Sequence, residues 1–211
     1  MTDTLATEGR RERKKRETRA RILRVAQEEF TRRGFESTTV ETIAERADIS
    51  KPTLFNYFPS KLGLLQALLP AVDERFAEAI EATARDAVST GERLHNFFSY
   101  VASMTEVTPQ LTRSLLLQSL QVYQGTDAVT GAADPRRFPA TRSALLALID
   151  AGILRGEIRT DHSPDQLAEH LTGIYVHQLM TWLINPDYAI KEEMAAAAAF
   201  LGTALSPTAS G

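Results

Sequence analysis

The chain has 211 residues, 43% of them hydrophobic and 24% charged, with a formal net charge of −3. These are ordinary proportions for a globular protein with a core to bury. It contains no cysteine, which excludes disulfides, thiolate metal sites and a cysteine nucleophile. The start, MTDTLATEGRRERKKRE, has basic residues with no apolar stretch behind them, and the longest unbroken apolar run is Met194 to Leu201. Neither pattern fits a secretory signal or a membrane span of about 20 residues, so a cytoplasmic protein with no membrane partner is expected.

The charge is unevenly placed. Residues 10–24 hold nine Lys or Arg against Glu12 and Glu17, whereas residues 63–211 carry 10 basic and 17 acidic groups. A basic end on an acidic chain fits either contact with a polyanion or a solvated tail. Apolar residues recur at helical spacing along the chain, with no sustained alternation, which predicts an all-α fold. The first helix is expected from about Glu17 to Arg33, with Ile22, Ala26 and Phe30 on one stripe and Gly34 as its stop. Residues 1–16 would then be a basic, extended N-terminal arm.

Ser37, Thr38 and Thr39 offer hydroxyl caps for a short helix that buries Val40, Ile43, Ala44 and Ala47. After Asp48 and Ile49 comes SKPTLFNYFPSK, with Ser50 as cap, Pro52 in the first turn and Pro59 as terminator. Longer helices are expected at 61–69, 71–88, 91–107, 109–123, 138–155, 164–184 and 189–204, with a kink at Pro70. The Gly-, Asp- and Pro-rich interval 124–139 reads as the longest internal loop, and the terminal PTASG as a frayed end.

A longer helix followed by two short ones is a helix-turn-helix arrangement, whose second short helix enters the DNA major groove. Leu54 and Phe58, four apart, can face inward on Ile22, Phe30, Val40, Ile43 and Ala44. That leaves Lys51, Thr53, Asn56 and Tyr57 outward, where they can meet phosphate oxygens or base edges. The stretch GFESTTVETIAERADISKPTLFNYFPSKLGLL resembles the N-terminal DNA-binding domain of the tetracycline-repressor (TetR) family of bacterial transcription regulators. The resemblance runs from about residue 17 to 66 and rests on an ordered set. It includes Gly34-Phe35, Thr39-Val40, Ile43-Ala44, Ala47, Ser50, Thr53-Leu54-Phe55, Tyr57-Phe58 and Lys61.

The resemblance implies a homodimeric repressor whose second domain binds a small molecule. By matching position, Lys51, Pro52, Thr53, Phe55, Asn56 and Tyr57 lie where the family meets DNA. Thr39 and Thr42 match backbone-contacting positions, and Lys61 matches a basic residue that grips a phosphate. Three departures stand out. Asp48 replaces a usual glycine in the turn, Phe55 replaces a frequent tyrosine, and Gly63 replaces a common acid. The implied organisation is a basic arm at 1–16, a helix-turn-helix domain at 17–62, and a helical effector-binding and dimerisation domain at 63–211.

Residues 151–183 also resemble the family's C-terminal domain, where the last two helices pair with their copies as a four-helix bundle. Leu167, Leu171, Ile174, Gln178 and Trp182 mark one stripe there, with Tyr175 and Leu179 beside it. Phe97, Tyr100, Met104, Gln118, Tyr123 and His177 are candidates for lining an effector pocket, although an ordinary core is the commoner setting for each taken singly. His170 and His177 are seven apart with no further ligand at metal spacing, so no metal and no cofactor are expected beyond an unknown effector. The glycine-rich nucleotide loops, the Gly-x-Ser-x-Gly elbow and the His-Glu-x-x-His helix are absent, which argues against an enzyme. A DNA-binding, ligand-responsive repressor on a palindromic operator is the reading carried forward. The alternatives are an activator of the same fold and a membrane-surface protein.

Overall fold

The computed structural model of the chain describes residues 9–86, 89–122 and 138–207, and every regular element among them is a helix. The chain divides into two compact units, Met1–Leu68 and Leu69–Gly211. The first holds α1 (Arg10–Arg33), α2 (Val40–Arg46), α3 (Lys51–Tyr57) and α4 (Lys61–Gln66). The second holds α5 (Leu69–Asp86), α6 (Thr90–Val107), α7 (Pro109–Val122), α8 (Pro139–Leu154), α9 (Pro164–Ile184) and α10 (Ile190–Ala204).

In the first unit the short helices owe their existence to caps and packing, because seven residues alone cannot offset helix nucleation. Thr39 accepts the Thr42 amide (3.2 Å), Ser50 the Thr53 amide (3.3 Å) and Ser60 the Gly63 amide (2.9 Å). Beneath them Ile22, Ala26, Phe30, Ile43, Leu54, Phe58 and Leu64 form the buried core. Val40 is only half-buried. Gly34 ends α1 at φ 80°, a left-handed value that favours glycine, and its amide donates to Phe30 O (3.0 Å).

Two expectations change here. α1 begins at Arg10, seven residues before Glu17, so residues 10–16 are helix rather than extended arm. Arg and Lys are good helix formers, and a basic run can simply extend a helix nucleated by its apolar half. Pro70 makes no kink. It lies in the first turn of α5, where a missing N–H removes no helical bond, after α4 has already ended at Gln66.

In the second unit α10 packs along α6, α5 lies between α6 and α8, and α9 contacts α7, α8 and α10. Small residues permit the closest approach: Ala198 is buried, and Gly202 faces Gly91 of α6. The core is aromatic at its centre. Phe97 meets Phe76, Phe98 and Tyr175 edge-on, with centroid separations of 6.2, 5.8 and 5.6 Å. Two acids fasten the helix starts. Asp73, buried on α5, accepts the Ala140 and Thr141 amides of α8 (both 2.9 Å), replacing the cap that Phe138 cannot supply. Glu157 accepts the amide (2.7 Å) and hydroxyl (2.6 Å) of Thr90 at the start of α6, and the Nε of Arg155 (3.0 Å). Residues 124–137 of the expected loop and residues 208–211 of the expected frayed end lie outside the described residues.

Candidate nucleic-acid interface and effector site

α3 has two unlike sides because Leu54 and Phe58 recur at helical spacing. Both are buried, which holds the helix on the first unit's core. Lys51, Pro52, Phe55 and Asn56 are exposed, and Thr53 and Tyr57 are half-exposed. The expected contact residues of α3 therefore share one accessible surface. Phe55 is 39% exposed, unusually open for a ring on so short an element. The Thr53 hydroxyl lies 2.8 Å from that of Ser50.

The turn before α3 is set by Asp48, the single non-glycine residue with positive φ (53°) among those described. Its amide donates to Glu45 O and that of Ile49 to Ala44 O, both at 3.0 Å. This is the paired hydrogen-bond pattern of a Schellman stop, with Asp in glycine's place. The departure at position 48 thus keeps the turn.

At the start of α2 the exposed Thr39 and the half-exposed Thr42 are joined through their hydroxyls (2.9 Å). Lys51 donates to Glu41 and lies 5.8 Å from the Phe55 ring centroid. That ammonium, together with Glu41's own amide, holds the Glu41 carboxyl below its ordinary range. In the free protein the Lys51 side chain is therefore held at the α2–α3 surface.

Lys61 has a structural task in the free protein. Its Nζ donates to the carbonyls of Phe35 (2.8 Å), Thr38 (3.1 Å) and Glu36 (3.3 Å), and sits 4.3 Å from the Phe35 ring centroid. An ammonium has three donors, and all three are taken by carbonyls that the α1–α2 connection leaves without helical partners. Without DNA, Lys61 pins that connection to α4 with its three donors engaged.

Another group was missed from the sequence. Glu29 sits on the core side of α1 with its side chain 0% exposed. Arg32 (2.7 Å) and Arg46 donate to its Oε1, and Arg33 Nε lies 3.3 Å from Oε2. Burial pushes the carboxyl up, but the hydrogen bonds and charges of Arg32 and Arg46 outweigh it and hold it below the ordinary value. Since Arg46 ends α2, this cluster fixes α2 on α1 and so the platform under α3. An acid inside an apolar stripe, with Arg three and four residues on, is the signal that could have revealed it. Thr38 likewise proves buried, donating to Gly34 O (2.7 Å).

In the second unit the expected effector residues separate. Phe97 and Gln118 are buried, Tyr100 and Met104 half-buried, and Tyr123 lies outside the described residues. His177 is exposed and cannot line an interior site of this chain. On α9 the inward face is Leu171, Tyr175 and Leu179, and residue 177 falls about 200° from Tyr175 around the helix. The groups that do face inward are Tyr175 and Gln178, whose Oη and Oε1 are buried without a hydrogen-bond partner. Burial, aided by the negative charge of Asp73, pushes the Tyr175 hydroxyl pKa well up. A groove of about 530 Å³ lies elsewhere, between the start of α6 and the end of α10, lined by Thr90, His95, Glu157 and Gly202 among others. Among the described residues no group of His, Asp or Glu is placed to hold a metal, and no helix is long and apolar enough to cross a membrane.

Known proteins share this arrangement. The family model for bacterial regulatory proteins of the tetR family matches residues 22–68. The HTH-type transcriptional regulator TcmR of Streptomyces glaucescens is 41% identical over 86 residues, which is 38% of this chain and only 38% of TcmR. The HTH-type transcriptional activator FasR of Mycolicibacterium smegmatis is 32% identical over 186 residues, covering 85% of this chain and 78% of FasR. The crystal structure of Thermus thermophilus FadR, a TetR-family repressor in complex with lauroyl-CoA, matches with a TM-score of 0.69. It covers 92% of this chain and 98% of FadR at 24% identity, a likeness of fold.

A helix-turn-helix with an open second helix, followed by a helical unit, is an arrangement that suits DNA binding and agrees with these matches. The chain belongs to the tetR family of bacterial regulatory proteins.

Proposed function

We propose that the protein is a ligand-responsive repressor that binds a palindromic operator as a homodimer and is released by a small-molecule effector. The observation that carries the DNA half of this reading is the two-sided α3, anchored by Leu54 and Phe58 and open at Lys51, Pro52, Phe55 and Asn56. Asn56 and Lys51 supply base-edge and phosphate donors, Tyr57 and Phe55 rest on sugar or thymine methyl groups, and Thr39 and Thr42 meet the backbone from α2. A domain limit after α4, near Leu68 rather than the expected 62, and a pairing of α9 and α10 with their copies complete the proposal. The exposed Phe200 (65%) and Ile184 (80%) on those helices support it, since apolar side chains so open favour cover. A dimer would set two copies of α3 one DNA turn apart, about 34–36 Å.

The effector half rests on the unpartnered Tyr175 Oη within the aromatic core of the second unit and on the buried, unpartnered Gln178 Oε1, three residues further along α9. A polar group of a small molecule would satisfy both while its apolar part lay near Phe97, Tyr100, Met104 and Gln118. FadR, of the same fold, carries lauroyl-CoA, which makes acyl-CoA the first effector to try. Coupling of about 1–3 kcal/mol between effector and DNA would suffice for release.

Mobility shifts on a duplex selected from a random pool test the DNA half. Replacing Lys51, Asn56 and Tyr57 together by alanine should weaken binding by at least about a hundredfold, because each base contact contributes about 1–3 kcal/mol. Retained affinity would sink the reading. FasR's role as an activator favours a second reading, an activator of the same fold, and transcription from a reporter carrying the selected site decides between the two.

A further inference from the structure

We infer that the first three turns of α1 form a second DNA contact: the face carrying Arg11, Lys15 and Arg19 lies against phosphates beside the base pairs that α3 reads. This rests on the reading that α3 enters the major groove.

Within α1 the buried residues Ile22, Val25, Ala26, Glu29 and Phe30 form the stripe on which the first unit packs. Arg11, Lys15, Thr18 and Arg19 precede Ile22 by eleven, seven, four and three residues, intervals that return to the same side of an α-helix. The stripe therefore continues toward the N-terminus but changes character. Where α2, α3 and α4 end their cover, apolar residues give way to cations, and Arg11, Lys15 and Arg19 are exposed. From Arg11 to Ile22 this basic half is about 16 Å long.

Arg19 fixes where the overhang lies. Its guanidinium is 4.9 Å from the ring centroid of Phe58, the residue that ends α3. The basic face thus passes the C-terminal end of the helix proposed to enter the groove, on the side that α3 occupies. The nearest acids do not cancel it. Glu17 lies round the helix and within 3.7 Å of Arg13, on the back, and Glu12 only flanks the stripe. A cationic stripe aligned with a DNA-reading helix meets the next phosphates along the duplex. Cations surround these turns (Arg10, Arg13, Lys14 and Arg16 lie off the stripe), so the front is singled out by its continuity with the buried face and by Arg19 at Phe58.

The experiment uses the full chain and a mixed-sequence 30-base-pair duplex, with affinity measured from 50 to 200 mM salt. Each lost phosphate contact lowers the slope of log affinity against log salt by about 0.9. Arg11→Gln with Lys15→Gln should flatten the slope by about 2 per bound protomer. Over that salt range the wild-type protein then loses about tenfold more affinity than the variant. Arg10→Gln with Arg13→Gln removes the same charge from the back and should keep the wild-type slope. Both pairs are exposed and glutamine is a good helix former, so circular dichroism and melting should not change.

Equal slopes for the two pairs, changed or not, would overturn the inference while leaving α3 as the reader of DNA. If the wild-type chain binds no duplex, both fall. A front pair that abolishes cosedimentation with phosphatidylserine vesicles yet leaves the duplex slope intact would assign this face to a membrane surface instead.

Discussion

In the first unit the buried carboxylate of Glu29 lies among Arg32, Arg33 and Arg46, the buried Thr38 hydroxyl donates to Gly34 O, and Lys61 fills its three donors with carbonyls. In the second unit paired polar groups stand at helix starts, where Asp73 and Glu157 accept amides, while Tyr175 Oη in the aromatic centre and Gln178 Oε1, three residues further along α9, have no partner. Glu29 Oε2 also lacks a hydrogen-bond partner, but it is a carboxylate oxygen 3.3 Å from the Arg33 guanidinium, so charge compensates it, whereas Tyr175 Oη and Gln178 Oε1 belong to neutral groups. A platform that must present α3 in one position gains from interior polar groups so compensated. An interior with unmet hydrogen-bonding capacity holds free energy that a second molecule can recover. The two interiors thus differ in the way that separate positioning and sensing roles require.

The comparison can be broken first at the rim of the second unit. The hydrogen bond from Arg155 and that from the Thr90 hydroxyl, against the opposing effect of burial, bring the Glu157 carboxyl down to about 2. A group whose folded pKa is depressed stabilises the fold fully above its unfolded value, near 4.5, and that contribution disappears as pH falls toward the folded value. Because solvent screens this partly exposed pair, Glu157→Gln should cost about 1–2 kcal/mol at neutral pH, with the difference from wild type closing between pH 4.5 and 2. Urea unfolding at several pH values measures it. A cost that does not vary with pH would mean that the clasp works by shape rather than charge.

An effect of similar size sharpens the first unit. Lys61→Met removes three hydrogen bonds and the contact with Phe35, and should lower stability by about 2 kcal/mol. If Lys61 instead gripped a phosphate, melting would stay put and the salt slope of DNA binding would drop by about 0.9.

Lys61 also marks the limit of what sequence could tell. Ser50, Pro52 and Pro59 bound α3 through short-range chemistry, so its ends and its two faces were legible from a dozen residues. The all-helical fold followed from spacing for the same reason. The role of Lys61 depends on carbonyls 23 to 26 residues away, brought near only by the fold. The start of α1 is not legible from charge, because a basic run suits a solvated arm and a helix alike, and Arg and Lys favour helices. At the effector site His177 was chosen by type and Tyr175 and Gln178 left as stripe residues. A turn of about 200° decides which faces inward, and spacing alone could not say which side of α9 its neighbours cover.

The finest test is a pair of hydroxyl deletions of opposite sign, one in each unit. Thr38→Val removes a hydroxyl that donates to Gly34 O at 2.7 Å and strands that carbonyl, at a cost of about 1 kcal/mol. Tyr175→Phe removes a hydroxyl that is buried and unpartnered, so nothing is broken and a desolvation penalty is relieved. It should raise stability by about 1 kcal/mol, read as a higher melting temperature in the absence of any effector. A loss of stability there would mean that the hydroxyl is already satisfied in the resting protein. The contrast between the two interiors, and with it the case for an effector at Tyr175, would then collapse while the DNA-binding surface stood untouched.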